Sequence, residues 1–300
     1  MKQILLFAGQ GAQFVGMGKA LYDQYAQVRD LYHEASDVLG FDLAKLSFEG
    51  PEEELTRTAI CQPALFVHGW AIYTAAREKG MISEIVAALG LSLGELTALS
   101  VAGAFSFADG VRLVSARGSL MQEACEQTNG AMASVIGGAV EDVQALCKEY
   151  DIDLANWNCP GQIVISGESE KVARAVEAGK TRGFKQIIPL KVAGAYHSRL
   201  MSAAGERFAE ILQQTEIVAP ALPVFTNTTG EQVKTPEEIR VALAKQVANS
   251  VLWEACMRNA AKLSPDQWLE CGPKKVLTGL ARRIDKEWSV VSPEDDLIAQ

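Results

Sequence analysis

Short apolar runs alternate with longer segments in which apolar residues recur every three or four positions, and this alternation continues along most of the chain. The first run, Lys2–Phe7, reads as a strand, and 85–89 is a second continuous apolar run of the kind buried on both faces of a sheet. Between them the pattern predicts a helix over 20–39 and a helical start at 51–58. A long helix apolar on most sides follows over 64–77, with Pro63 at its first position and Gly80 closing it. Helices at 93–102 and 111–127 come next. His33 and His68 fall inside these helices, His33 as a structural or exposed residue and His68 as a hydrogen-bonded core residue.

From Gly130 the texture changes. A strand over 132–137, a helix over 141–150, strands over 152–158 and 162–166 joined by a Pro160-Gly161 turn, a helix over 169–182 and a strand over 184–192 follow one another. This β-α-β-β-α-β order is the ferredoxin-like plan. It predicts a small domain, 130–192, inserted into a large domain made of 1–129 and 193–300. The large part resumes with a helix over 199–212, a strand over 222–227, helices over 236–246 and 253–263, a strand over 267–271 and a helix over 275–284. The tail, 289–300, is polar and expected to be loosely held. Alternating strands and helices predict a parallel sheet covered on both faces, an α/β fold.

Hydrophobic residues make up 48% of the chain, enough for a sizeable core, yet no run of about 18 uninterrupted apolar residues offers a membrane span. No signal segment is recognised, so a cytoplasmic protein is expected. The six cysteines are scattered without a C-x-x-C pair and read as reduced structural thiols. Three histidines without metal-site spacing predict no metal centre. A net charge of −9 argues against nucleic-acid binding, and it requires any anionic substrate to be met by a local basic patch. Lys274, Lys275, Arg282 and Arg283, with Lys185 and Lys191, are candidates for such a patch or ordinary surface charges.

The candidate chemistry centres on Gly90-Leu91-Ser92-Leu93-Gly94, where a strand turns at once into a helix. Gly-x-Ser-x-Gly in that context is a nucleophile elbow: the glycines admit a turn too tight for side chains, and the new helix aims its free N–H groups at any oxyanion formed there. His197 lies in a glycine-containing loop between a strand and a helix and is the candidate base for Ser92. Arg117 falls on the apolar face of its helix, with no acid at 113, 114, 120 or 121. A guanidinium there needs an anionic partner, either a distant Asp or Glu or a carboxylate-bearing ligand. A third, acidic member of a triad is not evident. The order Ser, acid, late His of α/β-hydrolases is missing too, which weakens an esterase reading.

Gly9-Gln10-Gly11-Ala12-Gln13, Gln62-Pro63-Ala64-Leu65, Gly90-Leu91-Ser92-Leu93-Gly94-Glu95, Ser115-Ala116-Arg117-Gly118, Asn158-Cys159-Pro160-Gly161-Gln162, Tyr196-His197-Ser198, Gln246 before Trp253, and Gly272-Pro273-Lys274-Lys275-Val276-Leu277 occur in this order. Together they resemble the malonyl-CoA:acyl carrier protein transacylases of the acyltransferase family of fatty acid and polyketide synthesis. The resemblance runs from about residue 1 to about residue 285. It implies a parallel-sheet, α/β-hydrolase-like large domain with the inserted ferredoxin-like small domain. It also implies malonyl transfer from malonyl-CoA to the phosphopantetheine thiol of acyl carrier protein, with no cofactor of the enzyme's own and a monomeric state. Ser92 would be the nucleophile and His197 its base, with the Gln246 backbone carbonyl orienting the imidazole in place of an acid. The backbone N–H groups of Gln10 and Leu93 would form the oxyanion hole. Arg117 would clamp the malonyl carboxylate, and Gln62, Met121 and Tyr196 would complete the substrate site.

Three positions depart from the family pattern: Leu91 stands where many members have His, Ala8 where many have Pro, and Tyr196 where many have Phe. The Leu91 side chain is expected to point away from the serine, and the Tyr196 ring to narrow the pocket against α-branched malonyl groups. A thioester hydrolase using the same Ser92 and His197, or a trans-acting acyltransferase of a polyketide synthase, are the competing readings. A non-catalytic carrier-binding protein is disfavoured by the intact Ser92, His197 and Arg117.

Overall fold

The strand Lys2–Phe7 shows why its run is apolar throughout. Ile4, Leu5, Leu6 and Phe7 are all buried, and side chains alternate across a strand, so Leu5 and Phe7 enter one core while Ile4 and Leu6 enter another. Each large apolar side chain so buried contributes about 1.5–3 kcal/mol. The helices Thr58–Glu78 and Phe107–Gln127 contribute to the first core, and Trp253–Ala261 and Val276–Ile284 to the second.

The structure is a computed structural model that describes residues 1–299. Its strands in chain order are β1 (Lys2–Phe7), β2 (Glu84–Gly90), β3 (Gly130–Ile136), β4 (Asp153–Cys159), β5 (Gln162–Glu168), β6 (Gln186–Pro189), β7 (Val224–Phe225), β8 (Gln232–Val233), β9 (Gln267–Cys271) and β10 (Val290–Val291). Among the described residues the main sheet has six strands in the order β10-β9-β1-β2-β7-β8, parallel except for the β7/β8 pair. The second sheet, β4-β5-β3-β6, is antiparallel and has the ferredoxin-like strand order. It carries Val140–Tyr150 and Ser169–Gly179 over a core of its own that includes Val135, Leu146, Ile165 and Val172. Its edge strand is tied to the rest of the chain by Trp157 N–H donating to the Val251 carbonyl and Val251 N–H donating to the Ala155 carbonyl, both at 2.8 Å.

Several elements differ from the pattern-based expectation. The helix over 20–39 is broken into Lys19–Gln24 and Ala26–Leu39 by an extended Tyr25, whose buried ring is packed into the core. Pro63 is not the first residue of its helix but lies inside Thr58–Glu78. A proline there forfeits one backbone bond, a cost offset by a helix buried on almost every side. The helix over 169–182 stops at Gly179, and the 199–212 helix begins as a 3₁₀ turn, Arg199–Met201, before Ser202–Gln214. The strand over 184–192 shrinks to β6, Gln186–Pro189, although Leu190 N–H still donates to the Met132 carbonyl at 2.9 Å. That over 222–227 shrinks to β7, as the Thr226 N–H turns to the Glu231 carbonyl and the Asn227 N–H to Glu95 Oε2.

The tail is not loosely held. β10 extends the main sheet, and the helix Pro293–Ile298 buries Leu297 in the core. Glu294 comes within 3.3 Å of His68 Nε2. His68 is fully buried, as expected, but neither ring nitrogen makes a well-formed hydrogen bond. His33 is exposed and meets the Tyr22 hydroxyl at 3.0 Å. Among the described residues no helix is long and apolar enough to cross a membrane. Leu297→Ala should lower the unfolding free energy by about 2–4 kcal/mol in urea denaturation, the cost of a core truncation. A loosely held tail would show almost no change.

Candidate active site

β2 ends at Gly90 and the helix Leu93–Val101 starts three residues later. The turn between them is closed by close backbone approaches. A Cβ on Gly90 would lie 1.8 Å from the Gly94 carbonyl carbon, and one on Gly94 would lie 2.1 Å from the Phe7 carbonyl oxygen. Ser92 sits at the apex with φ 53 and ψ −106, a strained conformation for a residue with a side chain. Asn227 holds the turn from the far side. Its Oδ1 accepts from Ser92 N–H at 2.7 Å, and its Nδ2 donates to the Gly90 carbonyl at 2.9 Å.

Ser92 Oγ lies 2.8 Å from His197 Nε2, and His197 Nδ1 lies 2.8 Å from the Gln246 backbone oxygen. A carbonyl only accepts, so Nδ1 carries the proton and Nε2 presents its lone pair to the serine hydroxyl. Burial, and then the nearby Arg117 charge, push the His197 pKa down to about 4, against the opposing pull of the Gln246 carbonyl. The imidazole is therefore neutral at pH 7 and ready to take a proton.

Arg117 is buried beside this pair. Its Nη1 donates to Gln62 Oε1 at 2.7 Å, and its Nη2 donates to Gln246 Oε1 at 2.9 Å and to Ser92 Oγ at 3.1 Å. Its Nε–H is buried without a partner. Its partners are two amides and a hydroxyl, and no carboxylate is in ion-pair contact with it among the described residues. Of the two partners open to it from sequence, the distant salt bridge is thus not made. Burial pulls its pKa down to about 10, and the field of Glu95 opposes this. Glu95 itself is 1% exposed and accepts from Thr226 Oγ1, Asn227 N–H and Gln246 Nε2.

These groups open onto a cleft of about 520 Å³ between the main sheet's end and the second sheet. Gln10, Met121 and Tyr196 line it. Gln62 Nε2 reaches Met121 Sδ at 3.4 Å, and the Tyr196 hydroxyl meets Thr58 Oγ1 at 2.5 Å and Gln10 Nε2 at 3.4 Å. Leu93 is the first residue of its helix, where a backbone N–H has no intrahelical acceptor. Asn156 and Asn158 stand on the opposite wall, and Asn158 Oδ1 is buried without a partner.

Leu91 does not point away from the serine's side. It lines the same cleft with Val276 and Leu280, because the helix Val276–Ile284 offers it an apolar surface there. Of the basic candidates, Lys191 lines the cleft. Lys274 bonds the Gln13 carbonyl and lies over the Phe14 ring, Lys275 pairs with Asp295, and Arg283 bonds Gln162 Oε1. Among the described residues no group of three or more His, Cys, Asp or Glu is arranged to hold a metal ion.

Glu95, Asn227, Thr226 and the side chain of Gln246 were not singled out from sequence. Glu95 had a legible signal, the one charged residue in the stretch 93–102. Asn227 and Thr226 had none, since a polar pair after a short strand reads as a turn. Inactivation of Ser92 by an uncharged fluorophosphonate should require neutral His197. Its rate should stay level from pH 8 down and halve only near pH 4, where the imidazole takes up its proton. Arg117→Ala, by removing a positive charge next to the imidazole, should move that midpoint upward.

A family model described as "Acyl transferase domain" matches residues 4–291. The chain is 38% identical over 299 residues to a malonyl CoA-acyl carrier protein transacylase of Bacillus subtilis, covering 98% of this chain and 94% of that one. It is 40% identical over 283 residues to the protein of the same description in Escherichia coli K12, covering 93% and 91%. A malonyl-transacylase solved in complex with its holo type II polyketide-synthase acyl-carrier protein superposes with a TM-score of 0.94 at 40% identity, over 97% of this chain and 96% of that one. The agreement spans both sheets and the elbow between strand and helix, and the chain belongs to the acyl transferase domain family, among the malonyl CoA-acyl carrier protein transacylases.

Proposed function

We propose that this protein transfers a malonyl group from malonyl-CoA to the phosphopantetheine thiol of acyl carrier protein, through a malonyl ester on Ser92, to supply fatty acid synthesis. The observation that carries the proposal is Arg117: a buried guanidinium beside Ser92 Oγ, held by amides rather than by an acid, with one donor unpaired. Such a group matches a carboxylate on the substrate, bound through parallel N–H···O bonds.

In the first half-reaction Ser92 Oγ attacks the thioester carbonyl as His197 Nε2 takes its proton. The backbone N–H groups of Gln10 and Leu93 receive the oxyanion, and Gln62, Met121 and Tyr196 bound the acyl pocket. The carbon–sulfur bond then breaks, and the imidazolium returns the proton to the departing CoA thiolate. In the second half-reaction His197 deprotonates the carrier's thiol, which attacks the Ser92 ester and leaves as the malonyl thioester while Ser92 regains its proton. Asn156 and Asn158 offer partners to the amides of the pantetheine arm. Nucleophile and base are side chains of the chain itself, and the reaction calls for no resident cofactor. Six unpaired buried cysteines support a reducing, cytoplasmic setting, and one complete site in one chain is compatible with a monomer.

A thioester hydrolase would use the same Ser92 and His197 but has no use for the guanidinium. Arg117→Ala should cut malonyl transfer about 10–100-fold, as charge-assisted hydrogen bonds are lost, and cut acetyl transfer much less. Equal losses with both acyl groups would remove the clamp from the scheme. Intact-mass analysis after mixing with malonyl-CoA should show one malonyl adduct, absent in Ser92→Ala, that clears on adding holo carrier protein without releasing malonate. Release of free malonate identifies a hydrolase. Transfer confined to a polyketide carrier identifies the trans-acting enzyme.

A further inference from the structure

Gln246 performs two tasks with different parts of one residue. Its backbone oxygen orients His197, and its side-chain oxygen accepts from Arg117 Nη2. The side-chain nitrogen faces the other way and donates to the Ser92 carbonyl at 2.9 Å, to Glu95 Oε2 at 2.7 Å and, more weakly, to Asn227 Oδ1 at 3.3 Å. The opposite amide orientation would set an NH₂ against the guanidinium and an oxygen against both a carboxylate and a carbonyl. The direction of the amide therefore follows from its neighbours. Of the three acceptors that fix it, the Ser92 carbonyl is backbone, Asn227 Oδ1 is the longest contact at 3.3 Å and already accepts from Ser92 N–H, and the Glu95 carboxylate is the nearest and the one that is charged. Glu95 is placed for this by the helix that begins at the elbow, one turn below the nucleophile, with its remaining oxygen held by Thr226 at 2.8 Å.

We propose that Glu95 is a positioning residue for acyl selection: as a buried acceptor it fixes the Gln246 amide, and the amide in turn holds Arg117 beside Ser92 to receive the substrate carboxylate. The inference rests on the malonyl-clamp reading above. It assigns Glu95 an acceptor's role rather than a base's, since the carboxylate does not touch Ser92 Oγ or His197 and its bonds run to Thr226, Asn227 and Gln246.

The test is the ratio of malonyl to acetyl kcat/KM for transfer to holo carrier protein, in Glu95→Met, Arg117→Ala and the double variant. Methionine keeps the length of the side chain and removes both oxygens. Glu95→Met should lower the ratio about 10–100-fold, and in the Arg117→Ala background the same change should move it by less than about 3-fold, since the two act through one contact. Glu95→Gln should restore the ratio to near the parent value, because its amide oxygen still accepts from Gln246 and the Thr226 hydroxyl can reverse to accept. If Glu95→Met does not fold, Glu95→Leu carries the same comparison, since it too removes both acceptor oxygens and leaves Gln246 in place. A ratio moved by Arg117→Ala but not by Glu95→Met overturns the inference alone. An equal drop in both backgrounds overturns it as well, by locating the effect in the elbow. Loss of the ratio in Glu95→Gln assigns the effect to charge and overturns the acceptor role. A ratio unmoved by Arg117→Ala overturns the clamp and this inference with it.

Discussion

A guanidinium taken out of water costs several kcal/mol unless its donors are met, and a carboxylate in contact with it would meet them at the expense of the substrate. This protein meets the Arg117 Nη donors with the neutral oxygens of Gln62, Gln246 and Ser92, and keeps the buried acid nearest the site, Glu95, behind an amide. The charge stays available. Much of the surrounding architecture serves that arrangement: the helix Phe107–Gln127 delivers Arg117, Thr58–Glu78 delivers Gln62, and Pro236–Gln246 ends on the residue that touches both arginine and histidine.

The site forms at the carboxyl end of β2, where the parallel sheet leaves a crevice and the elbow lifts Ser92 into it. The strained serine backbone is tolerated because Gly90 and Gly94 allow the chain to pass within contact of β1, and because Asn227 bonds the backbone on both sides of the turn. The second sheet, attached through Val251, supplies the opposite wall with Asn156 and Asn158.

A carbonyl in place of a triad carboxylate has a consequence for the histidine. It fixes the tautomer as a carboxylate would, but does little to stabilise the imidazolium, and the adjacent guanidinium opposes protonation further. Acyl exchange between thiols suits such a weak base. A thiol of pKa about 8.5 leaves readily as a thiolate and needs less acid assistance than an alcohol or amine.

The alternation of elements, the two sheets and the elbow could be read from the residue order, because burial periodicity and glycine punctuation are local properties. Ser92, His197, Arg117 and Gln246 were legible as well, the first three from residue type in an odd setting and the last from family resemblance. Its limits lay where long-range contacts override local pattern. Tyr25 breaks a helix to bury its ring, Pro63 stays inside one, the polar tail docks through Leu297, and Leu91 turns into the cleft. The choice between the two partners open to Arg117, and the joining of Glu95, Gln246 and Asn227 into one hydrogen-bonded unit, came with the packing of the folded chain. Residues 95, 117, 227 and 246 lie on separate elements of the chain. Nothing in the spacing of such residues encodes which buried donor will face which acceptor until the sheet and its helices have been packed together.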